Sequence, residues 1–284
     1  MGLKDLLVVL DGTPRDQVKL TLAFDLARRT DAHVTGLCVL EHLLPPNTTF
    51  AYAGYAELWS MPEFSRQVEA TAKARANEVE MAFLDRLRRE DARGSWELQS
   101  DPLLLSVLRY AYVSDLVIIG QHDPDHPGPA VARMLVEDVL MASGRPVLIV
   151  PYAGQYETVG SNVLVGWSHT RESARAVHDA LPLMMPKARV SVLIAESAPS
   201  ASDAVPTADV GEHLARHGLL VSVARTVLAD RVTPADALLG YAADDGCDLL
   251  VVGAYGHSRT REMILGGVTR DLLRSMTVPV LMAH

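Results

Sequence analysis

The 284-residue sequence is poor in cysteine, in aromatic residues and in long apolar runs, and it has no excess of positive charge. Its two cysteines, Cys38 and Cys247, lie far apart and form no CxxC pair, which excludes a disulfide scaffold and favours reduced thiols and a cytoplasmic location. The net charge of −9 excludes nucleic acid and anionic membranes as main partners, since both need a basic footprint. No run approaches the roughly 20 apolar residues that a membrane-spanning helix requires.

The chain contains an internal duplication. The run Asp115–Gly120 aligns with Asp248–Gly253, and each glycine precedes by 26 residues a proline that opens a further apolar run, Pro146 or Pro279. Two similar strand–helix–strand units at one spacing indicate that one half of the chain is a copy of the other.

Short apolar strands alternate with amphipathic helices throughout both copies, which predicts an α/β fold. We expect two doubly wound domains with five-stranded parallel sheets, residues 1–153 and 160–284, packed as an internal pseudo-dimer. A linker is predicted around Pro151–Ser161.

The first domain carries an insertion, a loop marked by Pro45 and Pro46 and then a helix from about Met61 to Arg89. Its apolar stripe predicts core contacts, with a partner-binding groove as the alternative.

One glycine-rich motif stands out in the second copy. It starts where a strand ends, at Gly253, and finishes where a helix begins, at Thr269. Ligands of open parallel sheets bind beyond the carboxyl ends of the strands, and a helix amino terminus offers free N–H groups and a positive dipole end to a phosphate. Thr269 adds a hydroxyl there or caps its own helix. The motif therefore predicts binding of an anionic group.

This pattern, Gly-x2-Gly-x9-Gly after a parallel strand, resembles the universal stress protein family, and the duplicated arrangement is similar to its tandem-domain members over essentially the whole chain. The resemblance implies flavodoxin-like domains of the adenine nucleotide alpha hydrolase-like type, joined through their last strands. It also implies that ATP or AMP is the ligand, since some members bind an adenine nucleotide. The residues that match the family's phosphate and ribose loop, the positions after it and the adenine pocket are Gly253, Gly256, Gly266, Val268, Thr269 and Val252.

Two positions of the second copy depart from the family's nucleotide binders. Gly267 stands where they carry Ser or Thr, although its N–H remains available to a phosphate. Trp167 stands where they carry an acidic residue at the end of the first strand. The indole either stacks on the base or fills the pocket.

The first copy shows the opposite pattern. Asp11 keeps the acidic position, but the positions equivalent to Gly256, Gly266 and Thr269 hold Asp123, Arg133 and Val136. A carboxylate beside a phosphate is repulsive. We therefore expect the first copy to be free of nucleotide.

Other candidate sites are weaker. The run from His122 to His126 has two imidazoles and two carboxylates, but its prolines favour a solvated loop over a metal site, and no metal is expected. Ser168 and His169 are predicted to be turn residues. Nucleophile-elbow, Walker and GxGxxG patterns are absent, so an enzyme, such as a slow nucleotide hydrolase, is not favoured.

The leading hypothesis is a cytoplasmic universal stress protein with a regulatory or ligand-sensing role, whose second domain binds an adenine nucleotide. The alternative is a non-nucleotide protein-interaction module of the same fold, in which the glycine loop is only structural. Its protein partners are not identified by the sequence. Whether the two-domain chain pairs again into a homodimer is also left open.

Overall fold

The computed structural model of the protein describes residues 2–44, 62–125, 132, 134–196, 208–255 and 267–284. The chain divides into two compact units, Gly2–Arg145 and Pro146–His284. Each unit is built on a sheet of buried strands with helices between them, so the predicted α/β class is confirmed.

The first unit has a parallel sheet in the order β3-β2-β1-β4. Its strands are β1 (Asp5–Leu10), β2 (His33–Val39), β3 (Gly94–Gln99) and β4 (Leu116–Gly120). Its helices are α1 (Asp16–Thr30), α2 (Pro62–Arg89), α3 (Leu103–Ala111) and α4 (Leu135–Ala142), and a short 3₁₀ turn (Leu40–Leu43) follows β2.

The second unit has the strand order β5-β10-β9-β6-β7-β8. Its strands are β5 (Val147–Val150), β6 (Asn162–Gly166), β7 (Arg189–Glu196), β8 (Leu220–Val227), β9 (Leu249–Gly253) and β10 (Val280–Ala283). Its helices are α5 (Arg171–Ala180), α6 (Ala208–Arg216), α7 (Pro234–Asp244) and α8 (Gly267–Ser275). All neighbours are parallel except β5, the last strand of the first copy, which runs antiparallel to β10 with Leu148 opposite Leu281.

One aspartate clamps the start of the first strand in both copies. Asp115 accepts hydrogen bonds from the backbone N–H groups of Lys4 and Asp5, at 2.6 and 3.0 Å. Its counterpart Asp248 accepts from three successive N–H groups that lead into β6, those of residues 160–162. The duplication read from the sequence is thus repeated in the hydrogen bonding at the amino edge of each sheet.

Helix α2 confirms the long helix predicted after the insertion. The middle of its apolar stripe is buried, as shown by Ala72, Ala76 and Phe83, and the Phe83 ring lies against Trp96 of β3 with centroids 5.8 Å apart. The stripe therefore contributes to the core, as expected. The predicted loop at Pro45 and Pro46 lies outside the described residues.

Both cysteines are free thiols, Cys38 buried and Cys247 half-buried. Burial raises the pKa of Cys38 to about 12 and that of Cys247 to about 11, and neighbouring carboxylates act in the same direction. Both groups are therefore protonated at neutral pH. Within the described parts of the chain, no helix combines the length and apolar character that crossing a membrane requires.

Candidate functional site

The carboxyl edge of the second sheet brings three predicted site residues together. β9 lies beside β6, with Gly166 opposite Val252, and on its other side Gly253 is opposite Ala283 of β10. Val252 is buried, and Trp167 follows β6 directly and is half-buried. The ends of the strands thus form an apolar floor at the predicted binding edge.

Gly253 is needed here for helix packing. A Cβ built on it would lie 2.5 Å from the carbonyl carbon of Glu172, and closer still to the backbone nitrogen of Ser173. The first turn of α5 therefore lies directly against the end of β9, where only glycine leaves enough room. This contact explains the glycine without a ligand, and its role toward a ligand stays a prediction.

Helix α8 begins beside this edge at Gly267. Gly267 is exposed, and a Cβ on it would meet no heavy atom of the described residues within 4 Å. Thr269 is buried, and its hydroxyl accepts a hydrogen bond of 3.5 Å from the N–H of Tyr255, a residue with a left-handed φ of 61°. Val268 is exposed. The described parts of the motif therefore meet, whereas Gly256 and Gly266 lie outside the described residues.

Trp167 is held by its own turn. Its backbone N–H donates to the carbonyl oxygen of Leu193 in β7 at 3.0 Å. Its indole Nε1 donates to Nδ1 of His169 at 3.1 Å. The two rings meet edge to face, with centroids 5.6 Å apart. The indole is therefore fixed at the edge of the sheet with its polar atom occupied.

The turn between β6 and α5 is organised to start the helix. Ser168 pairs with Thr170 hydroxyl to hydroxyl at 3.2 Å, and Thr170 and Ser173 form a reciprocal capping box. A serine nucleophile would need an adjacent base, but the recorded partner of the His169 ring is Trp167 and that of Ser168 is Thr170. These contacts agree with the interpretation of Ser168 and His169 as turn residues.

Two residues at the same edge, His284 and Arg175, were not singled out from the sequence. Nδ1 of His284 lies 3.2 Å from the carbonyl oxygen of Ala254, and the His284 ring meets that of Tyr255 with centroids 6.0 Å apart. The guanidinium of Arg175 donates to the carbonyl oxygen of His284 at 3.1 Å. The position of His284 directly after the last strand was the one signal that could have placed it here.

The corresponding edge of the first sheet contains a buried ion cluster. Nζ of Lys19 lies 3.2 Å from Asp11, 2.7 Å from Asp16 and 2.8 Å from the carbonyl oxygen of Val9, and its side chain is only 1% exposed. The second oxygen of Asp11 accepts from the N–H and the hydroxyl of Thr13. Asp11, predicted as the residue that matches the family's acidic position, is thus saturated by the protein itself.

Lys19 and Asp11 keep each other charged, whereas burial and the neighbouring Asp11 raise the pKa of Asp16 to about 7. Burial alone would lower the pKa of Lys19, but Asp11 and Asp16 raise it, so the ammonium stays charged. Burial alone would raise the pKa of Asp11, but Lys19 holds it far below its usual range. The Lys19 stem also runs past the end of β4, where a Cβ on Gly120 would lie 3.7 Å from its Cδ. A cation of the chain itself therefore occupies the place where ligands of open parallel sheets bind.

The loop after β4 contains the run that resembled a metal site. Asp123 accepts a hydrogen bond from the N–H of Asp125 at 2.9 Å, a contact within the loop. Among the described residues, no group of three or more His, Cys, Asp and Glu side chains is arranged to hold a metal ion, and His126 lies outside those residues.

These features define a class of protein: a tandem α/β chain whose two copies have different carboxyl edges. The profile of the Universal stress protein family matches residues 161–284. A segment of 46 residues is 44% identical to Universal stress protein Slr1230 of Synechocystis sp.; it is 16% of this chain and spans 16% of that relative's length. The resemblance read from the glycine motif is confirmed, because residues 161–284 form a universal stress protein domain.

Solved structures show the same fold over both copies. A universal stress protein from Archaeoglobus fulgidus DSM 4304 is 16% identical with a TM-score of 0.68, and the match covers 98% of this chain and 95% of that chain. A protein of Pseudomonas aeruginosa UCBPP-PA14, provisionally assigned to the universal stress proteins, is 17% identical with a TM-score of 0.54, covering 99% and 93%. At these identities the likeness shows the fold alone.

Proposed function

We propose that this chain is a regulatory, ligand-sensing universal stress protein whose second copy binds an adenine nucleotide, ATP or AMP, at the carboxyl edge of β6 and β9. The observation that carries the proposal is the position of the α8 start: Gly267 is exposed, and the Thr269 hydroxyl in the first turn accepts from the N–H of Tyr255, just after β9. In this proposal the first copy binds no nucleotide, and the protein senses the ligand rather than converting it.

The groups available at this edge suit a nucleotide. The first N–H groups and the positive dipole end of the helix that starts at Gly267 would face the phosphates. Gly253, Gly256 and Gly266 would form the loop around phosphate and ribose, with the Thr269 hydroxyl at its end. Val252 offers a buried apolar surface to the adenine. The net charge of −9 means that these local donors must hold the phosphates against the overall field.

The test is calorimetric titration of the whole protein with ATP and with AMP. Gly267→Leu should weaken binding at least tenfold, about 1.4 kcal/mol or more, because its side chain would occupy the phosphate space. Gly240→Leu is the matched control: a Cβ there also meets no heavy atom within 4 Å, but Gly240 lies within α7. The proposal fails if neither nucleotide produces heat at millimolar concentration, or if the two variants bind equally well.

The second candidate function is the protein-interaction module without a nucleotide. The observation that favours it is the fixed Trp167 indole, which would fill the adenine end of the pocket. Trp167→Ala separates the two. If the ring stacks on the base, the variant should lose about 1–3 kcal/mol of binding. If the ring blocks the pocket, the variant should bind nucleotide more tightly than the wild type.

A further inference from the structure

Helices α3 and α4 of the first copy carry an exposed apolar surface. Its members are between 50% and 76% exposed, and together they are here called the α3–α4 surface: Leu105, Tyr112, Val113, Met134 and Met141. The two helices contact each other, and the guanidinium of Arg145, just after α4, donates to the carbonyl oxygen of Tyr112 at 2.8 Å. Exposed apolar side chains grouped on neighbouring helices are typical of interaction sites.

Each helix carries the same pattern along its outer side. Leu105, Arg109 and Tyr112 follow one another at i, i+4 and i+7 on and just after α3. Met134, Asp138 and Met141 do so from the start of α4. Residues at this spacing share one face of a helix. Both stripes therefore read apolar, charged, apolar, with a cation in the centre of one and an anion in the centre of the other.

The second copy shows that the fold does not require this surface. The Tyr-Ala pairs 110–111 and 241–242 align α3 with α7, and Gly120 with Gly253 aligns α4 with α8. At the five equivalent positions the second copy has no large apolar residue, and all five are exposed: Asp236, Ala243, Asp244, Gly267 and Arg274. The apolar side chains of the first copy are thus a local addition.

We propose that the α3–α4 surface is an interface between two copies of this chain. If α3 of one copy lies parallel to α4 of the other, Leu105 and Tyr112 meet the two methionines of the partner stripe. Arg109 then faces Asp138, and a two-fold axis repeats the whole contact. Arg109 now pairs with Asp101 at 2.8 Å, but both side chains are more than half exposed, so this pair exchanges at little cost.

The oligomeric state of the full chain tests the proposal. Sedimentation velocity over a wide concentration range should show a species of twice the chain mass that dissociates on dilution. Met141→Glu should weaken dimerisation at least about tenfold, because it buries an unpaired charge in the contact. Met81→Glu is the matched control, since Met81 is an exposed methionine of α2, outside the surface.

A charge exchange tests the pairing itself. Arg109→Asp and Asp138→Arg, made singly, should each weaken the dimer, because like charges then face each other. The double variant should recover most of the lost affinity. A wild type that is monomeric at every concentration overturns the proposal. So does a dimer that Met141→Glu weakens no more than Met81→Glu, or a double variant no tighter than the single ones.

Discussion

The two copies bury different members of an equivalent set of residues at their carboxyl edges. Counting from the ends of β1 and β6, Asp11, Asp16 and Lys19 correspond to Trp167, Glu172 and Arg175. In the first copy Lys19 is buried between its two carboxylates. In the second copy Glu172 is buried beside Arg171, while the Arg175 side chain is 45% exposed and donates to the backbone of His284.

The residue that ends the first strand accounts for the difference. An acidic side chain at this position, Asp11, gives an inward-facing cation a second partner, and the helix stands off β4 by the thickness of the Lys19 stem. With Trp167 in its place that second partner is missing, and the first turn of α5 packs directly on Gly253. One edge is therefore occupied by an internal cation, and the other has the exposed helix start at Gly267.

Removing the internal cation should have the largest effect on this comparison. Lys19→Met leaves two buried carboxylates without a counter-ion, and breaking a buried pair in this way costs about 3–5 kcal/mol. We expect the free energy of unfolding, measured with denaturant, to fall by this amount.

Lys73→Met is the control for this variant. Lys73 pairs with Glu69 at 2.6 Å, but both side chains are more than half exposed, so the loss should stay below about 1 kcal/mol. Adding Asp16→Asn to Lys19→Met should recover part of the stability. Equal losses of unfolding free energy for the two lysines would show that the buried cluster stabilises the protein no more than an exposed ion pair does.

A pair of alanine substitutions compares the two strand ends directly. Gly253→Ala forces a Cβ against the first turn of α5 and should cost about 1–3 kcal/mol by overpacking. Gly120→Ala, at the equivalent position of β4, meets its nearest atom at 3.7 Å and should change stability by about 0.5 kcal/mol or less. Thermal unfolding of both variants checks this. Similar shifts would contradict the difference in helix packing.

The smallest expected effect is on pH dependence, through His42. Burial lowers the pKa of His42 to about 4, with Asp11 opposing and Lys19 adding to the shift. The unfolded chain, with its imidazole near the usual value, therefore binds the proton first as the pH falls. Stability from this group is full above about pH 6.5 and is lost towards pH 4, by about 1 kcal/mol between pH 7.5 and 5.5.

His42→Leu should remove that part of the pH dependence, because leucine carries no titratable group. Nδ1 of His42 is buried with no hydrogen-bond partner among the described residues, so the substitution breaks no recorded hydrogen bond there. Denaturant unfolding of wild type and variant at both pH values gives the two slopes. If wild type and variant lose the same unfolding free energy between pH 7.5 and 5.5, the His42 ring is exposed to solvent and its pKa is not lowered.

The sequence predicts the fold well because its signals are local. The repeated runs at Asp115 and Asp248, and the strand–helix alternation around them, are enough to set the order of the elements. The ends of β6 and β9 meet as expected, so Trp167 and Val252 are brought together. These inferences need only periodicity and the rule that parallel strands end at one edge.

The orientation of long side chains could not be predicted in the same way. Lys19 and Arg175 both read as basic residues of amphipathic helices, and only the neighbouring strand decides which of them is buried. The packing reason for Gly253 depends on the distance between α5 and β9, a tertiary property. The contact between His284 and Ala254 likewise joins residues whose proximity follows from strand pairing.

Native mass spectrometry of the full chain with added ATP or AMP tests the difference between the two edges most directly, because it counts the ligands on each chain. The account predicts one nucleotide per chain, lost in Gly267→Leu and kept in Lys19→Met. Two nucleotides per wild-type chain would mean that the internal cation does not close the first copy. No bound nucleotide at all would contradict the proposed function.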